Sequence, residues 1–178
     1  SRYSNLIEVG CDEAGRGSLC GPVVAAAVIL PNNFANYDLN DSKKLSLKKR
    51  NELSKTIYKE ALACEIGIVS PKEIDKINIL QASILCMHKA IKKINMPFDL
   101  ILVDGPHFKK YKKIEHECIV RGDSKYLAIA AASIIAKTYR DKLMIKMHED
   151  YPDYKWCRNK GYPTIEHRKA IINFGITD

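Results

Sequence analysis

The stretch from Ile7 to Leu30, IEVGCDEAGRGSLCGPVVAAAVIL, constrains the fold more than any other part of the sequence. Two short apolar runs flank a glycine-rich turn, and the first run ends in the adjacent carboxylates Asp12 and Glu13. This pattern predicts a strand, a turn and a returning strand. A strand that ends in acids presents charge at the edge of a sheet while its apolar part stays in the core. An ordinary acidic hairpin turn fits the same residues.

The turn itself is unusually rich in special residues. Gly15, Arg16 and Gly17 follow the acidic pair almost directly, and Gly21-Pro22 comes just before the second apolar run. Glycine lets backbone N–H groups approach a ligand more closely than a residue with a side chain would. The density of these residues favours a functional turn over a plain hairpin.

Composition narrows the classes of protein that fit. A length of 178 residues with 46% hydrophobic content suits one domain with a real core, and 29 basic against 21 acidic residues give a net charge of +8. That charge favours a polyanionic partner, although a basic protein without nucleic acid has the same balance. Six cysteines without a C-x-x-C pair predict free thiols in a reducing cytoplasm. The apolar centre from Val23 to Leu30 is far shorter than the roughly twenty residues of a membrane span.

The rest of the chain alternates helix-like and strand-like segments, which predicts an α/β domain with a mixed β-sheet flanked by helices over residues 1–150. A small helical appendage is predicted over residues 151–178. The individual predictions are a helix from the N-cap Ser46 to about Glu60, a strand over 61–69, a helix after the capping box at 70–73, an amphipathic helix over 80–94, strands over 100–103 and 118–120, a buried helix over 126–136 and a last helix over about 164–174.

Four acids lie where predicted strands end or helices begin: Asp12, Glu13, Asp104 and Asp123. Carboxylate oxygens suit Mg²⁺ and Mn²⁺, and phosphodiester cleavage by two ions places carboxylates between metals about 3.5–4 Å apart. Carboxylates at such positions are also common caps, and Asp123 fits that role alone. Successive residues of a strand point to opposite faces, so we expect Asp12 to be the central ligand and Glu13 to contribute more peripherally.

The motif DEAGRG followed by SLCGPVVAAAVIL resembles the opening motif of prokaryotic type 2 ribonuclease H, the ribonuclease HII family. Further motifs of that family are matched in order by DSKKL at 41–45, VDG at 103–105, GDSKYLAIAAASIIAKTYRD at 122–141 and NKGYPT at 159–164. The resemblance covers nearly the whole chain and implies an RNase H-like sheet. This sequence does not show the short basic tail that usually follows the last helix in that family.

The resemblance also implies roles for particular residues. The four acids Asp12, Glu13, Asp104 and Asp123 are implied to bind the metal ions and to be catalytic. Contacts to the substrate are implied or suggested for Gly15, Arg16, Gly17, Ser42, Lys43, Lys44, Ser133, Lys137 and Tyr162. Within that set, the Gly-Arg-Gly turn is implied to contact a 2′-hydroxyl and the tyrosine ring to stack on the sugar that follows the ribonucleotide.

Some residues keep two interpretations. Ser133 and Lys137 stand four apart on one helical face and are interpreted as supports near the acids. Lys44 also fits a solvated basic loop. Asp141 fits either the metal shell or an ion pair with a lysine, and the ion pair is favoured. His167 fits a helix surface or the neighbourhood of the substrate, and Trp156 is expected in the core.

The resulting prediction is a monomeric, cytoplasmic endoribonuclease that uses Mg²⁺ or Mn²⁺, with two ions expected, and has no membrane partner. The resemblance implies that it cuts the RNA strand of RNA–DNA hybrids and cuts duplex DNA 5′ of a single embedded ribonucleotide, leaving 3′-hydroxyl and 5′-phosphate ends. Two alternatives are a resolvase-like DNA junction nuclease and a non-catalytic hybrid-binding module. Four acids in their motif positions argue against the second alternative, because a binder gains nothing from their mutual repulsion.

Overall fold

The structure is a computed structural model that describes residues 6–34, 39 and 45–177. Its strands and helices alternate along the chain, as the sequence predicts. The strands are β1 (Glu8–Ala14), β2 (Val23–Ile29), β3 (Ala63–Val69), β4 (Leu100–Asp104) and β5 (Glu115–Ile119). The α-helices are α1 (Leu47–Glu60), α2 (Pro71–Ile77), α3 (Ile79–Lys93), α4 (Leu127–Asp150), α5 (Trp156–Asn159) and α6 (Ile165–Phe174).

The described strands form one mixed sheet in the order β3-β2-β1-β4-β5. The opening hairpin pairs β1 with β2 antiparallel, and β2 pairs with β3 in the same sense. On the other side, β1 runs parallel to β4, and β4 runs parallel to β5. The predicted α/β class and mixed sheet are therefore confirmed, with the acid-bearing β1 in the middle of the sheet.

The two faces of the sheet are covered by different helices. Val9 and Cys11 of β1 pack in one core cluster with residues of α3, whereas Ala14 packs in another cluster with the alanine-rich half of α4. Gly10 belongs to the α4 face, because a Cβ added there would lie 2.1 Å from the backbone carbon of Ala128. The strand alternation then places Asp12, between Gly10 and Ala14, on the face that α4 covers.

The helix α4 is longer than the sequence predicts. The apolar pattern places the end of the buried helix at Ala136, but α4 continues without a break to Asp150 over 24 residues. Beyond Ala136 most positions are no longer buried, although Met144 is fully buried. The continuous apolar run therefore ends before the helix does. None of the helices in the described ranges combines the length and apolar character that crossing a membrane requires.

Strand β5 starts at Glu115 and ends at Ile119, earlier than the predicted segment over 118–120. Its residues are exposed or half-buried, since β5 lies at the edge of the sheet, and no apolar run marks its beginning.

The segment after α4 folds back onto the end of that helix. A 3₁₀ turn at Pro152–Tyr154, α5 and α6 surround a small apolar cluster formed by Met144, Tyr154, Trp156 and Ala170. Trp156 is 1% exposed, which confirms its expected place in the core. The division of the chain at residue 150 stays a prediction.

Candidate active site

Asp12 and Asp104 come together because β1 and β4 are parallel neighbours. The register pairs Gly10 with Leu102 and Cys11 with Val103, so the next position along both strands brings the two aspartates side by side. Leu102 packs against Ile129 of α4, which places Asp104, two residues later, on the same α4 face as Asp12. Two carboxylates that are 92 positions apart in the sequence thus share one corner of the sheet.

Asp123 lies in a short 3₁₀ turn, Gly122–Ser124, that precedes α4 and contacts this corner through its first residue. The backbone N–H of Gly122 donates to Oδ1 of Asp104 at 2.7 Å. Asp123 itself is 2% exposed. The hydrogen bond fixes the end of β4 to the turn, so the third predicted acid follows directly after the residue that contacts Asp104.

The carboxyl of Asp12 is held in an environment that opposes its ionisation. Burial raises its pKa to about 7, and the neighbouring charges of Glu13 and Asp104 also raise it. Lys137, whose Nζ lies 4.0 Å from Oδ2, and a hydrogen bond with Ser133 act in the opposite direction. Lys137 also donates to the Ser133 hydroxyl. Both α4 residues therefore lie beside the acids, as their helical spacing predicts.

Glu13 lies on the opposite face of β1 from Asp12 and is close to Arg16. Its Oε1 lies 3.7 Å from an Nη1 of Arg16, and its side chain is 11% exposed. Burial raises the pKa of Glu13, the Arg16 charge lowers it, and the Asp104 charge raises it again. The strand alternation directs Glu13 away from the α4 face. A more peripheral role for Glu13 remains a prediction.

The chemistry of this donor set fits divalent metal ions. The acids present carboxylate oxygens, which hard cations such as Mg²⁺ and Mn²⁺ prefer. Burial and neighbouring negative charge raise the pKa values of Asp12 and Glu13, and a bound cation would relieve both effects. Within the described ranges, no three His, Cys, Asp or Glu side chains already lie close enough together to form a metal site. The residues that would hold ions are Asp12, Glu13, Asp104 and Asp123.

The turn after β1 is held in a specific shape next to these acids. Gly15 has φ +102°, and a Cβ there would lie 2.3 Å from Nε of Arg140, so both its conformation and its surroundings require glycine. Ser18 caps the turn by donating from its hydroxyl to the Gly15 carbonyl at 2.7 Å. Arg16 and Gly17 are exposed. The turn therefore presents both residues to solvent while its base is fixed to the protein.

Tyr162 lies in the loop between α5 and α6, and its side chain is partly open to solvent. His167 explains how the loop is fixed: its Nδ1 lies 3.0 Å from the Tyr162 carbonyl, and its Nε2 accepts from Nε1 of Trp156 at 3.0 Å. Because Trp156 only donates, the His167 proton lies on Nδ1 and is donated to Tyr162. His167 is therefore a buried support of Tyr162, a role that its sequence context left undecided.

Arg140 is a residue of this site that no sequence pattern indicates. It is 1% exposed, and its guanidinium donates to the turn after β1 and to the Tyr162 loop. Its acceptors are mostly backbone carbonyls, which carry no signature in the sequence. The adjacent Asp141 pairs with Arg50 at 2.7 Å, in line with the favoured ion-pair role, although the partner is an arginine and not a lysine.

The predicted phosphate contacts Ser42, Lys43 and Lys44 lie outside the described residues. The roles assigned to the remaining site residues stay predictions, because proximity alone does not test them.

Known proteins are similar to this chain in sequence and in fold. The sequence profile of the family Ribonuclease HII matches residues 9–178. A "Ribonuclease HII" from Christiangramia forsetii is 59% identical over 176 residues, which covers 98% of this chain and 89% of the relative. One from Bacteroides thetaiotaomicron is 57% identical over 97% of this chain and 86% of its own.

Among solved structures, a chain from "Structure of the PCNA:RNase HII complex from Archaeoglobus fulgidus" superimposes with a TM-score of 0.78 at 27% identity. The alignment covers 97% of this chain and 92% of that one. The range that the family profile matches includes the acids and the turn after β1. The chain therefore belongs to the ribonuclease HII family and is a metal-dependent endoribonuclease.

Proposed function

We propose that this enzyme cuts the RNA strand of RNA–DNA hybrids and cuts duplex DNA on the 5′ side of a single embedded ribonucleotide. The observation that carries the proposal is the meeting of Asp12 and Asp104 at the carboxyl ends of β1 and β4, directly beside the turn that presents Arg16 and Gly17. Acids for phosphodiester hydrolysis and a turn with exposed backbone groups thus lie at one place. The family membership supports the same reaction.

The proposed cofactor is a pair of divalent ions, Mg²⁺ or Mn²⁺, held by Asp12, Glu13, Asp104 and Asp123. Such ions supply activation of the attacking water and stabilisation of the leaving 3′-oxygen, which yields 3′-hydroxyl and 5′-phosphate products. Lys137 lies 4.0 Å from Asp12 and keeps a positive charge beside the acids. Ser133 lies beside the Asp12 carboxyl and lowers its pKa.

Recognition of the ribonucleotide is proposed to come from the turn and from Tyr162. A 2′-hydroxyl is both a donor and an acceptor, so the backbone groups of the turn formed by Gly15, Arg16 and Gly17, of which the last two residues are exposed, suit it. The exposed part of the Tyr162 ring offers a surface for the neighbouring sugar. Basic residues, with Lys43 and Lys44 among them, and the Ser42 hydroxyl are proposed to hold the duplex by its phosphates without reading bases.

The cellular setting is proposed on similar grounds. The six cysteines are all free, which supports a reducing cytoplasm: Cys11, Cys20, Cys64, Cys86, Cys118 and Cys157. We propose that the enzyme acts there as a monomer in the removal of ribonucleotides from DNA.

The test is cleavage of an end-labelled DNA duplex that contains one ribonucleotide, in Mg²⁺ or Mn²⁺ and in chelator. All-DNA and RNA–DNA duplexes of the same base sequence are the controls. We expect a cut on the 5′ side of the ribonucleotide, a cut RNA strand in the hybrid, and no reaction on all-DNA or in chelator. Cleavage of all-DNA would support the resolvase-like alternative, and binding without cleavage in either metal would support a non-catalytic module.

A further inference from the structure

Arg140 is a buried charge that the proposed reaction does not use. It lies on α4 and is 1% exposed. Among the described residues, no carboxylate lies within ion-pair distance of its guanidinium, and its hydrogen bonds go to neutral oxygens. Removing an arginine from water without a counter-ion costs free energy, so the hydrogen bonds of its guanidinium must offset that cost.

The hydrogen bonds of Arg140 join two separate loops. On the turn after β1, Nε donates to the Pro22 carbonyl at 2.8 Å, while Nη2 donates to the Ser18 hydroxyl at 2.8 Å and to the Cys20 carbonyl at 3.0 Å. On the Tyr162 loop, Nη1 donates to the Lys160 carbonyl at 2.8 Å. One side chain therefore contacts both elements to which substrate recognition is assigned.

Two further contacts reinforce the bridge. The guanidinium carbon of Arg140 lies 5.4 Å from the centroid of the Tyr162 ring, within range of a cation–π interaction. The backbone N–H of Leu19, in the turn after β1, donates to the carbonyl of Gly161, in the Tyr162 loop, at 2.8 Å. The loops are thus connected by both backbone and side chains: Arg140 bonds to both loops, and Sγ of Cys20 in the turn lies 3.7 Å from Nε2 of His167, the residue that supports Tyr162.

The fork shape of the side chain matters for this bridge. A guanidinium presents several N–H donors in a fixed plane, whereas a lysine ammonium is a single point on a flexible stem. Lysine at this position keeps the charge but cannot donate to Pro22, Cys20 and Lys160 at the same time. A buried carbonyl that loses its hydrogen-bond donor costs free energy, so the loss destabilises the folded positions of both loops.

We propose that Arg140 is a positioning residue that holds the Gly-Arg-Gly turn and Tyr162 at one fixed separation, so that the 2′-hydroxyl and the sugar that follows it are recognised as a unit. The proposal rests on the proposed function for its substrate, a ribonucleotide joined to DNA in a duplex. Arg140 acts through the two loops and touches no reacting atom.

The first test is a double-mutant cycle of Arg140→Lys with Tyr162→Ala, measured as kcat/KM on a duplex with one ribonucleotide. We expect Arg140→Lys alone to lower kcat/KM by about 10- to 100-fold, the scale of a small misplacement in a preorganised site. In the Tyr162→Ala background the same change should cost severalfold less, because Tyr162 is already lost. If the factors by which Arg140→Lys and Tyr162→Ala each lower kcat/KM simply multiply in the double mutant, the proposal is overturned.

A matched control is Asp141→Asn. It removes the 2.7 Å ion pair with Arg50, which is made by the adjacent residue of the same helix but joins that helix to α1. Its effect on kcat/KM, whatever its size, should multiply with that of Tyr162→Ala. If Asp141→Asn shows the same coupling as Arg140→Lys, then a general weakening of α4 and not positioning explains the result.

Two measurements keep the proposal testable if Arg140→Lys folds poorly or if the wild type does not cut. Ser18→Ala keeps the arginine but removes one acceptor at 2.8 Å, and it should show a weaker coupling to Tyr162→Ala of the same sign. Amide hydrogen exchange needs no activity: Arg140→Lys and Ser18→Ala should reduce protection of the Leu19 amide, and Asp141→Asn should not. Unchanged protection would overturn the proposal, whereas lost protection without cleavage would reject only the proposed function.

Discussion

Oδ1 of Asp104 accepts a hydrogen bond from the backbone N–H of Gly122 at 2.7 Å. This bond ties the end of β4 to the turn that carries Asp123 and leads into α4. Because β4 runs parallel to β1, the same bond also fixes the turn relative to Asp12. The geometry of the acidic corner thus depends on a neutral contact as well as on the charges.

Asp104→Asn is expected to abolish cleavage while the protein stays folded and still binds the duplex. Asparagine keeps an oxygen at Oδ1 that can accept from Gly122, but it removes the negative charge that a cation needs. Loss of several kcal/mol of charge stabilisation corresponds to a rate lower by roughly 10³-fold or more. Single-turnover cleavage and duplex binding in Mg²⁺ measure the two properties separately.

The control for Asp104→Asn is Asp75→Asn, which changes an exposed aspartate of α2. It should leave cleavage unchanged. Cleavage by Asp104→Asn at the wild-type rate would remove Asp104 from the active site.

Asp12→Asn is expected to make the metal-free protein more stable at neutral and alkaline pH. Burial raises the pKa of Asp12 from the ordinary 3.8 to about 7 in the folded protein. A folded-state pKa above the unfolded value contributes stability that is complete below about pH 4 and is lost as the pH rises to about 7. The change is about 1.4 kcal/mol per pH unit. Asparagine does not titrate, so the free energy of unfolding of the variant does not fall over this pH range for this reason.

Urea unfolding in chelator at several pH values between about 4 and 8 tests this sign. The free energy of unfolding of Asp12→Asn relative to wild type should rise across this window and level off above it. A difference that is independent of pH would contradict the raised pKa of Asp12.

Gly10→Ala and Gly17→Ala should separate the packing of the sheet from recognition of the substrate. A Cβ at Gly10 would lie 2.1 Å from the Ala128 backbone, so α4 must move away and the free energy of unfolding should fall by about 3 kcal/mol or more. A Cβ at Gly17 meets nothing within 4 Å, so stability should change by less than about 0.5 kcal/mol. Chemical denaturation compares the two variants.

For Gly17→Ala we expect slower cleavage at a single ribonucleotide despite unchanged stability, because the added methyl group obstructs the approach of the sugar to the turn. Cleavage at the wild-type rate would place the 2′-hydroxyl contact elsewhere.

Tyr162→Phe and Tyr162→Ala test the proposed contact between the ring and the sugar. Tyr162 is 39% exposed, so neither change should strongly affect folding. Phenylalanine keeps the flat surface and should retain most of kcat/KM. Alanine removes about 1–3 kcal/mol of stacking, a loss of roughly 10- to 100-fold. Equal losses in both variants would assign the effect to the hydroxyl and not to the ring.

Much of the local structure could be predicted because its causes are local. The capping box of α2 is confirmed: Ser70 and Glu73 exchange hydrogen bonds between side chain and backbone, three residues apart. The buried strand β4 is equally visible as a continuous apolar run. Strand β5 was misplaced because an edge strand needs no such run, and the end of α4 was misplaced because the helix outlasts its apolar part.

Arg140 and His167 show what such local signals do not contain. Arg140 donates to the carbonyl of Pro22, 118 positions earlier in the chain. His167 supports Tyr162 through hydrogen bonds to the Trp156 indole and to the Tyr162 carbonyl. Every residue has a carbonyl, so residue types alone do not say which carbonyl a buried donor will meet.

Residue types and their order along the chain were enough to place acids at strand ends, to mark the glycine-rich turn and to indicate the family, because each of these is written within a few adjacent positions. The folded chain was needed to show that Asp12 and Asp104 share the α4 face and that one buried arginine joins the turn to Tyr162. Those relationships depend on strand register and on helix packing, in which residues far apart in the sequence become neighbours only after the sheet and α4 have formed.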